Sequence, residues 1–191
     1  KSEGSRYEGG FSRGKMHGEG EYLFSDGSRH RGGYSLGLRE GKGEMLMSNG
    51  DKFVGTYRKG MMSGQGKITY HNGDTYEGGF VNDRREGHGV LLFDGDTRYE
   101  GIFDFGEPGP DGTYYYPDGK EYSGEARKGV WDGRGRLSNP DGTVYEGEFA
   151  DGAMNGQGTF HFANGNWYEG GFVDGKREGF GVYHYAEGER Y

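Results

Sequence analysis

The sequence predicts an all-β protein, an elongated single-layer repeat ribbon of eight tandem antiparallel β-hairpins with the right-handed strand twist that L-residues impose. Three observations predict it. The string Tyr7-Glu8-Gly9-Gly10-Phe11 returns as Tyr76-Glu77-Gly78-Gly79-Phe80 and as Tyr168-Glu169-Gly170-Gly171-Phe172, at multiples of 23 residues. Within each period two short segments alternate large and small residues at period two, the spacing that lines one face of a strand. Between them lie glycine-rich stretches and pairs such as Asp26-Gly27, which tolerate the positive φ of tight turns.

Counted from Tyr7, eight 23-residue units fill residues 7–190 without insertion, and their first residues are Tyr7, His30, Phe53, Tyr76, Tyr99, Tyr122, Tyr145 and Tyr168. Positions 3 and 14 are glycine in every unit, and position 5 is aromatic in all but the sixth, which has Ala126. Residues Glu3-Gly4-Ser5-Arg6 match the tail of a preceding unit and Tyr191 the start of a ninth. Residues 1–191 therefore read as one continuous stretch of a longer array.

In the first unit, Tyr7–Phe11 is the first strand and Gly20–Phe24 the second. Ser12–Gly18 is expected to join them as a loop, and Ser25-Asp26-Gly27 to turn into the next unit. Alternation puts positions 1, 3 and 5 on one side, together with 14, 16 and 18 of the second strand. Large side chains alternate there with glycines, whose missing Cβ leaves room for a ring to lie on the backbone. A lone hairpin is unstable in water, so each unit must stack on its neighbours. Sixteen strands at about 4.8 Å spacing predict a ribbon on the order of 75 Å long.

Composition agrees. Only 30% of residues are hydrophobic, 44 are glycine and the net charge is −8, yet 16 Tyr, 12 Phe and 2 Trp are more aromatic surface than a disordered chain carries. There is no cysteine, hence neither a disulfide framework nor a thiolate metal site. The longest apolar runs, such as Val90-Leu91-Leu92-Phe93, are far too short for a membrane-spanning helix. The start, Lys1-Ser2-Glu3-Gly4, lacks the apolar region of a signal peptide, so a soluble intracellular protein is expected.

The pattern Tyr-Glu-Gly-x-Phe, then Gly, then Gly-x-Gly-x-aromatic-x-aromatic-x-Asp/Asn-Gly resembles the MORN repeat. The resemblance covers essentially the whole chain. It implies relatives among junctophilins, plant phosphatidylinositol-phosphate kinases, radial-spoke proteins and, most similar in being all repeats, protist cytoskeletal scaffolds. From the last it implies a non-catalytic, cytoplasmic, cytoskeleton-associated scaffold that forms homodimers and docks a cytoskeletal protein or helical peptide. The family name implies an alternative, a phosphoinositide-binding module at the membrane periphery. The plant kinases imply a lesser one, the regulatory region of a larger enzyme.

Three adjacent units depart from the pattern. Asp94-Gly95-Asp96 moves the turn glycine of the fourth unit one place early. Glu107-Pro108-Gly109-Pro110 replaces the loop of the fifth and puts proline where glycine normally sits. Ala126 and Asn139 replace aromatics in the sixth. Because proline fixes φ and removes an amide donor, a bend or loosening is expected around residues 94–139.

Candidate chemistry is sparse. Gly37-Leu38-Arg39-Glu40-Gly41-Lys42 has the wrong spacing for a phosphate-binding loop and no helix follows it. His161 and His184 share position 17 of the last two units, about 9–10 Å apart at two strand spacings, too far to share a zinc ion. Glutamates at position 2, such as Glu8 and Glu169, read as a solvated stripe rather than an acid–base pair. No catalytic residue, metal site or cofactor is expected, and an acidic field with its aromatics committed to the repeat argues against nucleic acid.

Two binding surfaces remain. Basic residues that the loop reading places along one edge, Lys15, Arg39, Arg84, Arg85, Lys176 and Arg177, are the candidate phosphoinositide contacts. Apolar residues in the same region, Met61-Met62, Val130-Trp131 and Met154, are candidate contacts or loop packing. An uncapped final strand is a template for another chain. The C-terminal units, roughly residues 145–191, are therefore expected to mediate a two-fold homodimer through Phe172, Phe180, Tyr183 and Tyr185, with His184 nearby.

Overall fold

The computed structural model describes residues 4–127 and 129–186, so Tyr191 lies outside the described residues. First strands of the repeats are β1 (Arg6–Ser12), β3 (Arg29–Ser35), β5 (Lys52–Arg58), β7 (Thr75–Val81), β9 (Arg98–Asp104), β12 (Glu121–Arg127), β14 (Val144–Ala150) and β16 (Trp167–Val173). Second strands are β2 (Lys15–Leu23), β4 (Leu38–Leu46), β6 (Met61–Thr69), β8 (Arg84–Leu92), β13 (Val130–Ser138), β15 (Ala153–His161) and β17 (Lys176–His184). The second strand of the fifth repeat is broken into β10 (Glu107–Pro108) and β11 (Thr113–Tyr115), which makes seventeen strands among the described residues where sixteen were expected.

The chain divides into two units. The first comprises Lys1–Asp94 and Glu100–Pro108, and in it β1 to β8 pair antiparallel in chain order, with β10 on β9. The second comprises Gly95–Tyr99 and Gly109–Tyr191, and in it β11 to β17 pair the same way. The sequence places Pro108 at the start of the interruption and Pro110 within it, and neither supplies an amide donor to the ladder.

The joining segment differs from its expectation. It is a two-residue turn, Arg13-Gly14, with both residues at positive φ (51° and 74°) and Ser12 paired to Lys15. Positive φ at both central residues is the geometry that matches strand twist in a hairpin. Lys15 to Gly18 thus belong to the second strand. They resemble a loop in sequence because the ladder jumps from Gly9↔Gly20 to Phe11↔Met16, leaving His17, Gly18 and Glu19 against Gly10 alone, with Gly18 at φ 74°. This bulge recurs in most hairpins, for example between Gly55 and Tyr57 and between Gly147 and Phe149.

The core of each unit is a column of rings. The position-1 ring lies over the position-14 glycine of its own repeat: a Cβ on Gly135 would come within 2.5 Å of the Tyr122 hydroxyl oxygen, and one on Gly66 within 2.5 Å of the Phe53 ring. Where both are present, a position-1 ring meets two position-5 rings edge to face, its own repeat's and the next one's. In the first unit, Tyr76 contacts Phe80 at 5.2 Å and Phe103 at 4.8 Å between centroids. In the second, Tyr145 contacts Phe149 at 5.1 Å and Phe172 at 4.9 Å. Such pairs contribute about 0.5–1.5 kcal/mol each beyond the burial of apolar area. The hydroxyls of Tyr7, Tyr76 and Tyr145 then donate to the position-4 carbonyls of Gly10, Gly79 and Glu148 at 3.0–3.1 Å, opposite the bulge.

Irregular repeats are patched locally. Asp96 takes the turn glycine's place at φ 67°. Tyr99 donates to the Gly109 carbonyl at 2.9 Å. Where Ala126 omits a ring, Trp131 directly opposite supplies one, stacking on Tyr122 at 4.7 Å and meeting Phe149 edge on at 5.6 Å. Asn139 leaves its turn regular, its amide hydrogen-bonded to the Thr143 carbonyl at 2.9 Å.

His30 replaces tyrosine at position 1 of the second repeat. It is fully buried, Nδ1 pairs with the Tyr34 hydroxyl at 2.6 Å, and Nε2 has no hydrogen-bond partner. Burial, and secondarily the Arg39 charge, push its pKa down to about 4. Because the unfolded chain takes up this proton near the ordinary value of about 6.5, stability falls as pH drops from there towards 4.

Two outcomes are expected. Replacing Gly135 with alanine should cost about 1–3 kcal/mol in urea unfolding, the range for overpacking; a change below about 0.5 kcal/mol, the usual effect of a surface substitution, would refute the ring-on-glycine account. The stability advantage of His30→Tyr over the unaltered chain should grow as pH is lowered from about 6.5 to 4. A melting-temperature difference independent of pH across that window would show that His30 is not held neutral.

Candidate functional site

The alternation that builds the ring column sorts the remaining side chains onto two faces. Positions 1, 5 and 16, with position 10 opposite position 5, lie on the ring face, as the pairs Tyr7↔Tyr22 and Phe11↔Met16 show. Positions 2, 4, 13 and 15 lie on the back face, as in Glu8↔Glu21.

The six candidate phosphoinositide residues lie on second strands rather than in loops, and they divide. Arg39, Arg85 and Arg177 occupy position 10 and cover rings: Arg39 lies 4.7 Å from the Tyr57 centroid, Arg85 5.2 Å from Phe103, and Arg177 5.5 Å from Tyr168. Arg39 and Arg85 also donate to the carbonyls of Gly60 and Gly106 at 2.5 Å. Cations over aromatic faces stabilise the column. Lys15, Arg84 and Lys176, at position 9, are exposed, and so is Arg177 despite its place beside a ring. Met62, Met154 and Trp131 share position 10 with the arginines and pack opposite position 5, whereas Val130 is 46% exposed.

The five candidate dimer residues are not one surface. Phe172 is buried between Tyr145 and Tyr168 in the ring column, so it is a core residue. Tyr183 is half-buried against Phe162 and Tyr185 on the ring face. Tyr185 is exposed, and Phe180 is 89% exposed on the back face. His184 also lies on the back face, stacked on Trp167 at 4.4 Å between centroids, with Nε2 3.7 Å from Glu169.

The pairs His161↔Trp167 and Trp167↔His184 put the Trp167 indole between the two position-17 histidines, where a shared ion would have to sit. Among the described residues no group of three His, Asp or Glu side chains can hold a metal, and the chain has no cysteine. No helix among them is long and apolar enough to cross a membrane.

Sequence reasoning missed a feature at the other turns. The position-22 side chain accepts the position-19 amide of the next repeat: Ser28 from Ser48 at 3.0 Å, Asp51 from His71 at 2.8 Å, Asn166 from Ala186 at 2.8 Å. Asp51, its carboxyl held below the usual range by hydrogen bonds from His71 and Asn49 despite an opposing burial contribution, also meets His71 Nδ1 at 3.0 Å. Small polar residues recurring at that position were the available clue.

No curated protein matches the chain. Among solved structures, the SAS-4 (dCPAP) TCP domain of Drosophila melanogaster, in complex with a proline-rich motif of Ana2 (dSTIL), is 17% identical over 80% of this chain and 77% of that one, with a TM-score of 0.45. The G-box domain of the microcephaly protein CPAP is 18% identical over 96% and 99%, with a TM-score of 0.47. The TCP10 domain of Danio rerio CPAP is 14% identical over 92% of each chain, with a TM-score of 0.39. The family model for the MORN repeat matches residues 7–29, 30–52, 53–75, 76–98, 99–121, 122–144, 145–167 and 168–190. With eight contiguous matches and a ring-on-glycine core that repeats in step with them, this chain belongs to the MORN repeat family.

Proposed function

We propose that the chain is a cytoskeletal protein-interaction scaffold that also self-associates through its C-terminal repeats. The observation that carries the self-association is Phe180. The equivalent position 13 holds Glu19, Lys42, Gln65, His88, Asp111, Arg134 and Gln157 in the other seven repeats, all polar or charged. Phe180 is 89% exposed, and on the same face Val173 and Val182 are about half exposed, at 48% and 45%. Other repeats expose single apolar side chains on this face, such as Val54 and Ile102, and the cluster around Phe180 supports a contact surface. A two-fold axis would set this patch against its own copy, the commonest arrangement for soluble oligomers. Phe172 takes no part, because it belongs to the core.

The phosphoinositide alternative has less support. Two of its six cations, Arg39 and Arg85, are half-buried over rings and bonded to carbonyls, which leaves Lys15, Arg84, Lys176 and Arg177 exposed on an acidic protein.

Light scattering should find a dimer for the chain and a monomer for Phe180→Glu, while Tyr185→Ser, on the other face, leaves the dimer intact. A monomeric unaltered chain at about 100 μM, far above the Kd of a specific interface, would overturn the self-association reading, as would a Phe180→Glu variant that still dimerises. Co-sedimentation with vesicles containing phosphatidylinositol bisphosphate separates the alternative. The scaffold reading expects no retention at low salt, and retention abolished by Lys15→Glu, Arg84→Glu and Lys176→Glu together would favour lipid instead.

A further inference from the structure

The hairpin tips of the first unit line one edge of its sheet. Position 7, the first turn residue, is left-handed in the seven repeats where it is described, with φ of 47–52°. Three of those repeats place Asn82, Asp151 and Asp174 there, residues that accept such a backbone. The second repeat has Leu36 at φ 52°, a strained conformation for a bulky side chain, and with 66% of its surface exposed no packing offsets the strain. Leu38, just past the turn, is 50% exposed.

The tips around this apolar one are cationic. The first carries Arg13 and Lys15, the third Arg58 and Lys59, and the fourth Arg84, all exposed. Among the described residues none of the five makes an ion pair, a ring contact or a side-chain hydrogen bond. Elsewhere in the unit Arg29 pairs with Glu21, Lys52 with Glu44 and Lys67 with Glu77. Carboxylates near the tips are turned to the backbone: Asp83 accepts the Met62 amide at 2.7 Å and Glu40 the Lys59 amide at 2.9 Å. Asp104 and Glu107 at the fifth tip end the basic run. On the opposite edge, the turns after the first three repeats hold Asp26, Asp51 and Asp74 and no lysine or arginine.

Twist decides what can follow this row. Adjacent strands rotate by roughly 20–25°, so a two-strand repeat turns its tip by about 45°, and the first and fourth tips face directions about 135° apart. A flat bilayer cannot touch all four, whereas a flexible chain can wind with them. Neighbouring tips are about 9.6 Å apart along the repeat axis, and winding lengthens the path, so about four extended residues of about 3.3 Å each reach from one tip to the next.

We infer that this edge binds a flexible, extended acidic segment of a partner protein, with an apolar residue seated on Leu36 and Leu38 and carboxylates on the cations of the first, third and fourth tips. The inference rests on the scaffold reading and names the chemistry of its partner. It uses none of the residues of the Phe180 patch.

The test is fluorescence anisotropy on the whole chain with a labelled peptide of five quartets, each a residue pair followed by Gly-Ser. The middle pair is Phe-Leu and the others are Glu-Glu, so that either chain direction fits. A second peptide of the same composition carries Phe-Leu in the last quartet. The first should bind at least about threefold more tightly than the second at low salt and weaken as salt is raised. Lys59→Glu should weaken it about tenfold and melt as the unaltered chain does. Leu36→Asn gives the turn an Asn-Gly pair suited to positive φ, so it should raise the melting temperature by about 2–4 °C and yet weaken the peptide about fivefold. A lowered melting temperature would place Leu36 in the packing of the fold and overturn its role. Equal affinity for the two peptides, or unchanged affinity in both variants, would overturn the site. Retention on phosphatidylserine vesicles without peptide binding would assign the cations to a membrane and overturn the proposal. A dimeric chain that binds no peptide would overturn this site alone, and a monomeric chain that binds it would overturn only the self-association.

Discussion

A ring at position 1 can lie flat on the sheet only because the facing strand has glycine at position 14. Everything else in the repeat follows from that contact. In the regular repeats it sets a Tyr, Phe or His ring against two position-5 rings, one in its own repeat and one in the next, so a hairpin shares its apolar core with a neighbour. No hairpin has a core of its own, and the array is stable only as a stack. The same contact explains how so little hydrophobic sequence folds, because the rings are buried in a column one side chain deep.

The bulge is the second constraint and serves the first. By inserting residues such as His17 to Glu19 opposite Gly10, it turns a carbonyl towards the tyrosine hydroxyl, so the buried ring keeps its polar atom bonded. Where tyrosine is replaced, the bonding suffers: His30 Nε2 and the Tyr57 hydroxyl in the adjoining repeats are buried without partners. Unsatisfied buried groups of this kind cost about 1–3 kcal/mol each.

Because the ring face is used up by packing, the surfaces left for partners are the back face and the turn edges. Arg39 and Arg85, half-buried at position 10, reinforce the ring column. The back face then differs between repeats only in side chains that no core contact constrains. Side chains can vary there without disturbing the fold.

The sequence by itself determined the period, the hairpin, the antiparallel all-β class and the pairing of rings with glycines, because each is written in spacing along a single chain. It determined less where residues meet across strands. Lys15 to Gly18 read as loop because a glycine bulge and a glycine turn have the same composition, and only the pairing Ser12↔Lys15 separates them. Phe172 and Phe180 are both aromatic residues of the last repeat, yet the first is core and the second is solvent-exposed, a distinction that depends on which face the bulge leaves each one. Trp131 filling the gap at Ala126, and Trp167 standing between His161 and His184, are likewise cross-strand facts. Tertiary structure decided these because a bulge shifts the register, and once it is shifted, sequence distance no longer says which side chains touch.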